Sequence, residues 1–185
     1  MALTYTPSPD LGNPCPDFTL PAVDGRTYSK KDFQKNKPLV VMFICNHCPY
    51  VKAIEDRLIQ LGQDLKSQGV SVVAICSNDP TNYPEDSFEN LKARALEKVY
   101  PFPYLHDLSQ KVAHDFGAVC TPDFFVYDSD LKLAYRGRLD DSWKDPTKVT
   151  KRELYEAVQS LMRNEKLSTN QNPSMGCSIK WVKNG

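Results

Sequence analysis

The sequence lacks an excess of charge of either sign: 23 Lys and Arg balance 23 Asp and Glu. That argues against a general binder of nucleic acid or of an acidic membrane surface and leaves room only for a local basic patch. Long apolar runs are also missing, and none approaches the roughly 18 residues of a membrane span. The opening "MALTYTPSPDLGNPCPDFTL" has neither the basic nor the apolar region of a secretion signal, so the expected location is the cytosol. Six cysteines in 185 residues are too few for a disulfide scaffold, and a reducing compartment makes structural disulfides unexpected. There is one C-x-x-C but no second one and no H-x-x-x-H, so the four ligands of a structural zinc site are not in sight. No internal repeat and no low-complexity tract is present. The length fits one domain, residues 1–185, with a core over about 12–164 and an extension over about 165–185.

What the chain does have is alternation of strand-like and helix-like segments. After an extended lead-in, "FTLPAVDGRTYS" carries an Asp24-Gly25 turn signal between two β-like pieces, as in a hairpin, and Ser29 is placed to cap the turn "KKDFQK". "PLVVMFIC" (38–45) is a continuous apolar run of strand length, the pattern of a central strand covered on both faces. Over 50–68, Val51, Ile54, Leu58, Leu61 and Leu65 share one helical face, while Lys52, Glu55, Asp56, Gln63 and Lys66 share the other. Gly69 fits the position after the helix, and "VSVVAICS" (70–77) is a second buried strand, which completes a βαβ unit.

Asp86 or Ser87 is placed to cap a further helix with Phe88, Leu91, Ala95 and Val99 on its buried side. "YPFPYLHD" is extended, and a short helix over 109–116 closes at Gly117. "FFVYD" (124–128) and "LAYRGRL" (133–139) read as an antiparallel hairpin. Thr150 and Glu153 form a capping box for a helix to about Asn164, with Leu154, Val158 and Leu161 inward. The last twenty residues fall outside this pattern.

Within "FICNHCPYVKAI" (43–54), Cys45 lies where the strand ends and Cys48 in the first helical turn. Unsatisfied N–H groups and the positive dipole end of a helix favour a thiolate there, and the thiolate is the nucleophile. His47, when protonated, adds a positive charge, and Pro49 suits a helix start, where its missing N–H is not needed. Two intervening residues let the sulfurs close a small ring. A redox dithiol is the leading reading, with inert core packing and metal binding as the alternatives. His47 shares its segment with both cysteines and is a poor third ligand for the same ion.

These segments resemble the peroxiredoxin-like branch of the thioredoxin-fold proteins, relatives of the alkyl hydroperoxide reductase and thiol-specific antioxidant group. "PCPDFTLPAVDGRTYSKKDF" is similar to the N-terminal hairpin of that group and "PLVVMFICNHCPYV" to its strand and C-x-x-C helix. "VCTPDFFVYD" is similar to its strand entered through a cis-proline, while "YRGRLDD" and "NPSMGCSIKWV" are like this branch in particular. The likeness covers about residues 12–183. It implies an α/β thioredoxin-like fold, with a central mixed β-sheet flanked by helices, an N-terminal β-hairpin and a C-terminal tail. It also implies a cis Thr121-Pro122 bond facing the dithiol, with Thr121 and Pro122 as substrate-binding residues that dock a partner's extended chain.

Two departures stand out. The peroxiredoxin pattern P-x-x-x-T/S-x-x-C puts Cys45 and Val41 at its Thr and Pro positions when counted back from Cys48, and Met42 and Pro38 when counted from Cys45. Neither register supplies the hydroxyl, which argues against efficient peroxidase activity. The buried Asp that thioredoxins carry six residues before the first cysteine is Leu39 here, so no proton acceptor for Cys48 is visible.

Of the other cysteines, Cys15 reads as incidental and Cys76 as core. Cys120 reads as core or as a third redox thiol beside Thr121. Cys177 reads as part of a turn before an anchoring Trp181, or as a resolving or regulatory thiol that reaches the site. His106 and His114 lack evident partners, and the run Arg136, Arg138, Asp140, Asp141 reads as solvated surface, with Arg136 a weak candidate near the site. The expected activity is thiol–disulfide exchange with a disulfide-bearing protein or small disulfide. Cys45 attacks and Cys48 resolves, with no cofactor, no metal, no nucleic acid and no membrane partner, and with the reductant open. A thiol peroxidase, and a soft-metal-binding or redox-sensing protein without turnover, are the alternatives.

Overall fold

The computed structural model describes residues 3–33 and 36–182; the last two residues of "KKDFQK" and the ends of the chain lie outside that range. In chain order the first elements are β1 (Leu3–Tyr5), β2 (Thr19–Pro21), β3 (Thr27–Ser29), β4 (Leu39–Phe43), α1 (Pro49–Ser67) and β5 (Ser71–Cys76). There follow α2 (Phe88–Glu97), β6 (Tyr104–His106), α3 (Lys111–Phe116), β7 (Cys120–Thr121) and β8 (Asp123–Tyr127). β9 (Leu133–Tyr135), α4 (Glu153–Met162) and β10 (Met175–Ser178) complete the set.

The central sheet has the order β6-β5-β4-β8-β9. β4, β5 and β6 run parallel, and β8 and β9 run antiparallel to their neighbours, so the sheet is mixed. β4 is its middle strand, and every residue in it is buried. Alternate side chains point to opposite faces. Val40 and Met42 join a core with α1, α2 and α4, whereas Leu39, Val41 and Phe43 join a second core with α3 and the N-terminal hairpin. A strand covered on both faces must be apolar throughout, which is why "LVVMF" shows no alternation. Each such side chain contributes roughly 1.5–3 kcal/mol by burial. The Asp24-Gly25 turn joins β2 to β3 as expected, with Gly25 at φ +86° and the Asp24 carboxylate accepting from Arg26 N–H. Gly69 and Gly117 close α1 and α3 in left-handed conformations.

Several local expectations are corrected by tertiary partners. Glu55 is buried, because α2 and the following turn cover that side of α1: it accepts hydrogen bonds from Arg94 Nε (2.8 Å) and the Tyr100 hydroxyl (2.6 Å). Val99 lies beyond the end of α2, at φ +54°, and is exposed. Thr150 and Glu153 do not form a capping box. Thr150 bonds to Asp141, Glu153 receives Arg138 and Asn172, and α4 starts without a side-chain cap. The charged run is not solvated surface throughout: Arg136 and Asp140 are buried, paired with Asp123 and Arg57 respectively. The tail is not outside the fold either. β10 is the middle strand of a small antiparallel sheet, β1-β10-β7, which joins both ends of the described chain to the strand carrying Thr121. No helix among the described residues is long and apolar enough to cross a membrane.

Candidate active site

The C-x-x-C motif sits where the fold changes from strand to helix. Cys45 follows β4, Cys48 is the residue that opens α1, and Pro49 occupies the first helical position. All six cysteines are reduced and buried; Cys45 is 2% exposed and Cys48 0%. The Thr121–Pro122 bond is cis, as expected, and Thr121 faces both sulfurs. Its Oγ1 lies 3.2 Å from Cys45 Sγ, and its carbonyl oxygen accepts from the Cys48 thiol at 3.1 Å. The hydroxyl that the local sequence around the motif lacks thus arrives from 76 residues further on.

Cys45 and Cys48 are hydrogen-bonded to each other and titrate as one pair. Burial pushes the Cys45 thiol well up, reinforced by the bond to Cys48 and the nearby Asp86 carboxylate. Cys48 goes down, to about 4, through the hydrogen bond from Cys45, against burial and with help from Cys177 and the Val51 N–H in the first turn of α1. The Thr121 carbonyl opposes charge on Cys48, but it is one acceptor among several donors. The charge of the pair is therefore favoured on the second cysteine rather than the first, chiefly through the hydrogen bond from Cys45.

Asp86 is the residue that sequence reasoning placed elsewhere. Ser87 caps α2, accepting from Asn90 N–H at 3.4 Å, and Asp86 turns inward, 0% exposed. It accepts from Asn46 N–H (2.7 Å), His47 N–H (3.3 Å), His47 Nδ1 (2.5 Å) and Asn78 Nδ2 (2.8 Å). Burial alone would raise this carboxyl, but the bonds from His47, Asn78 and Asn46 hold it below its ordinary value. The Asn46 side chain adds bonds to the carbonyls of Glu85 and Asn90, so the C-x-x-C loop is tied to the start of α2. His47 stacks on Tyr83 (ring centroids 4.8 Å apart), and its Nε2 is buried with no hydrogen-bond partner among the described residues.

Cys45, His47 and Asp86 bring one potential ligand atom each within 4.8 Å of one another. Each oxygen of Asp86 already accepts two hydrogen bonds, so its lone pairs are engaged by donors of the protein rather than turned to a metal.

The edge that the resemblance reserves for a partner is occupied by the chain itself. Cys177 of β10 lies opposite Thr121. A Cβ on Gly176 would overlap the Thr121 carbonyl oxygen, so glycine is what allows the two strands to approach. The Cys177 thiol and backbone both hydrogen-bond to Cys48. Beside Pro122 a cleft of about 310 Å³ remains, lined in part by Tyr50, Ile54, Trp143 and Met175; neither Cys45 nor Cys48 lines it.

Other residues of interest lie elsewhere or are quiet. Cys120 is wholly buried, donating to the Pro122 carbonyl at 3.5 Å, and burial pushes its thiol far up. Cys76 is core, as expected, and burial pushes the Cys15 thiol up to about 12. His114 stacks on Trp181 at the surface, whereas His106 is buried against Phe88. Arg136 supports the site from behind: its guanidinium bonds both oxygens of Asp123, the residue after Pro122, and the Gly117 carbonyl.

No curated protein matches the chain significantly. Among solved structures, an uncharacterized conserved protein from Geobacillus kaustophilus is 45% identical with a TM-score of 0.94, the match covering 100% of this chain and 99% of that one. A hypothetical protein from Sinorhizobium meliloti 1021 is 41% identical with a TM-score of 0.92, covering 97% and 98%. The thioredoxin domain of a thiol-disulfide oxidoreductase from Bacteroides vulgatus shares 17% identity and a TM-score of 0.63 over 83% of this chain and 98% of that one, which speaks to the fold alone. The mixed sheet, the helices on both faces and the N-terminal hairpin make this a thioredoxin-like fold, and the AhpC/TSA family model matches residues 11–136. The chain therefore belongs to the AhpC/TSA family.

Proposed function

We propose that the chain catalyses thiol–disulfide exchange through Cys45 and Cys48. The observation that carries this reading is the contact between the two sulfurs at the start of α1, against the cis Thr121–Pro122 bond. In the singly deprotonated pair, Cys48 holds the charge and Cys45 the proton. The proton passes to Cys48 as Cys45 attacks a partner disulfide; a Cys45–partner bond forms and one partner sulfur leaves as thiolate. Cys48 then gives its proton to that thiolate and attacks the Cys45 sulfur. The second partner sulfur leaves as thiolate, and a Cys45–Cys48 disulfide remains. The reverse sequence oxidises a partner dithiol, so the direction follows the reduction potential of the pool. Both sulfurs are buried, so a protein disulfide reaches Cys45 only when the covering segments move.

Turnover of insulin disulfides tests the reading. Cys45→Ser is expected to lower the rate by about a thousandfold or more, and Cys48→Ser to accumulate the mixed disulfide at Cys45. Undiminished turnover in Cys45→Ser would remove the reading. His47 tunes the couple by favouring the reduced form. His47→Pro is accordingly expected to lower the reduction potential by tens of millivolts, measured in glutathione buffers; a potential that rises or stays level would refute that role.

The Thr121 hydroxyl beside Cys45 favours a second reading, peroxide reduction. There Cys45 thiolate takes one peroxide oxygen to give a sulfenic acid and an alcohol or water, and Cys48 condenses with it to release water. Stopped-flow peroxide consumption separates the two: fast peroxide turnover without insulin reduction would favour the second.

A further inference from the structure

We propose that Cys177 is a third redox thiol, which takes over Cys48 from the oxidised pair to form an internal Cys48–Cys177 disulfide. The inference rests on the exchange reading and extends it from a two-sulfur to a three-sulfur site.

The placement comes from backbone register. β10 pairs with β7 so that Cys177 stands opposite Thr121, the residue whose carbonyl accepts the Cys48 thiol. An extended partner chain docked on the cis-proline strand would place a residue at this register; the chain supplies its own strand there, with a cysteine in that position. The thiol of that cysteine touches Cys48, and Cys45, Cys48 and Cys177 belong to one buried cluster. β10 is held on both sides: Leu3 lies opposite Cys177 on β1, and on the other side Gly176 allows close approach to Thr121. Cys177 is thus fixed beside Cys48 rather than carried in by a mobile tail. Cys120, although next to Thr121 in sequence, donates to the Pro122 carbonyl instead and is not part of the step.

The step is an isomerisation. The Cys177 sulfur attacks Cys48 Sγ in the Cys45–Cys48 disulfide; a Cys48–Cys177 bond forms, the Cys45–Cys48 bond breaks, and Cys45 leaves as the thiolate and takes the proton from Cys177. No oxidant is consumed. Oxidation is retained between Cys48 and Cys177, and Cys45 is returned as a thiol that can attack again.

Wild-type protein equilibrated in glutathione redox buffers, acid-quenched, alkylated and mapped by mass spectrometry without reduction provides the test. About a tenth or more of the oxidised molecules are expected to carry Cys48–Cys177, the remainder Cys45–Cys48. Detection of Cys45–Cys48 alone would overturn the proposal. Cys45→Ser in the same buffers is expected to form the Cys48–Cys177 disulfide within one chain, and Cys48 and Cys177 left as thiols or glutathione adducts would also overturn it. Gly176→Ala keeps every sulfur but forces β10 off Thr121. It is expected to lose most of the Cys48–Cys177 linkage while keeping Cys45–Cys48; an unchanged linkage would show that the register does not create it. Insulin reduction by the wild type reports on the exchange reading separately. Reduction without the linkage removes this inference alone, and the linkage without any disulfide turnover removes the exchange reading and, with it, the relay role.

Discussion

Arg136→Met should destabilise the protein by about 3–5 kcal/mol at pH 7, measured by urea unfolding. Arg136 and Asp123 form an ion pair in which neither side chain reaches solvent to any extent, 7% and 0% exposed. Burial raises the Asp123 carboxyl above its ordinary value of 3.8, and Arg136 offsets that only in part. Removing the guanidinium leaves the burial cost unopposed, along with a Gly117 carbonyl that has lost its donor. The sign of the pH dependence follows. A carboxyl raised in the folded state binds more protons there than in the unfolded chain, so stability falls as pH rises between the two values. The deficit of the variant should therefore be smallest near pH 4 and deepen toward neutrality, and an equal deficit at both would contradict this account. Because the pair itself is costly to bury, the double change Arg136→Met with Asp123→Leu should recover much of the loss.

Asp86→Ala should affect both stability and chemistry. Four donors converge on this carboxylate, and the substitution strands the Asn46 N–H, the His47 N–H, His47 Nδ1 and the Asn78 side chain. A loss of about 3–5 kcal/mol is expected, because several buried donors are left without an acceptor at once. Because these bonds also fix the loop between Cys45 and Cys48, disulfide exchange should fall by about a hundredfold even where the variant is fully folded. Here the pH sign is opposite to that of Asp123. The folded-state value of Asp86 lies below its ordinary 3.8. Its contribution is complete above that ordinary value and is lost as pH falls through the lower, folded-state value. The part of the stability gap between wild type and Asp86→Ala that comes from the Asp86 carboxylate should close in acid, as that group is protonated. Exchange that is normal in a folded Asp86→Ala would exclude the positioning role.

The parts of the fold that could be read from the sequence are those whose signal is local. The unbroken apolar run at 39–43, the periodicity of α1, the Asp24-Gly25 turn and Gly117 each carry their own instruction, and the family resemblance adds the cis-proline. What could not be read depends on partners far along the chain. Asp86 has the composition of a helix cap, and only the arrival of the C-x-x-C loop 40 residues earlier in sequence turns it into a buried acceptor of that loop's donors. Glu55 lies on what is the polar face of α1 considered alone, until Arg94 and Tyr100 cover it. "MGCS" has no alternation to mark it as a strand; it becomes one because both its edges find partners. The dithiol itself was legible, but the distribution of charge within it was not, because Cys177 and Thr121 reach it only through tertiary structure.

The placement of β10 also sets an order of assembly. The strand that seals the dithiol lies about 130 residues after it, which makes this one of the longest loops the chain has to close. The parallel pairing of β4 with β5 and the first turns of α1 can form from neighbouring sequence, so the C-x-x-C motif exists before anything covers it. A partly folded chain in which β10 has not yet paired therefore presents two accessible thiols to whatever oxidant or cysteine is nearby, and protection comes only with β10. Refolding yield should accordingly depend on the thiol reductant in the buffer well before it depends on temperature.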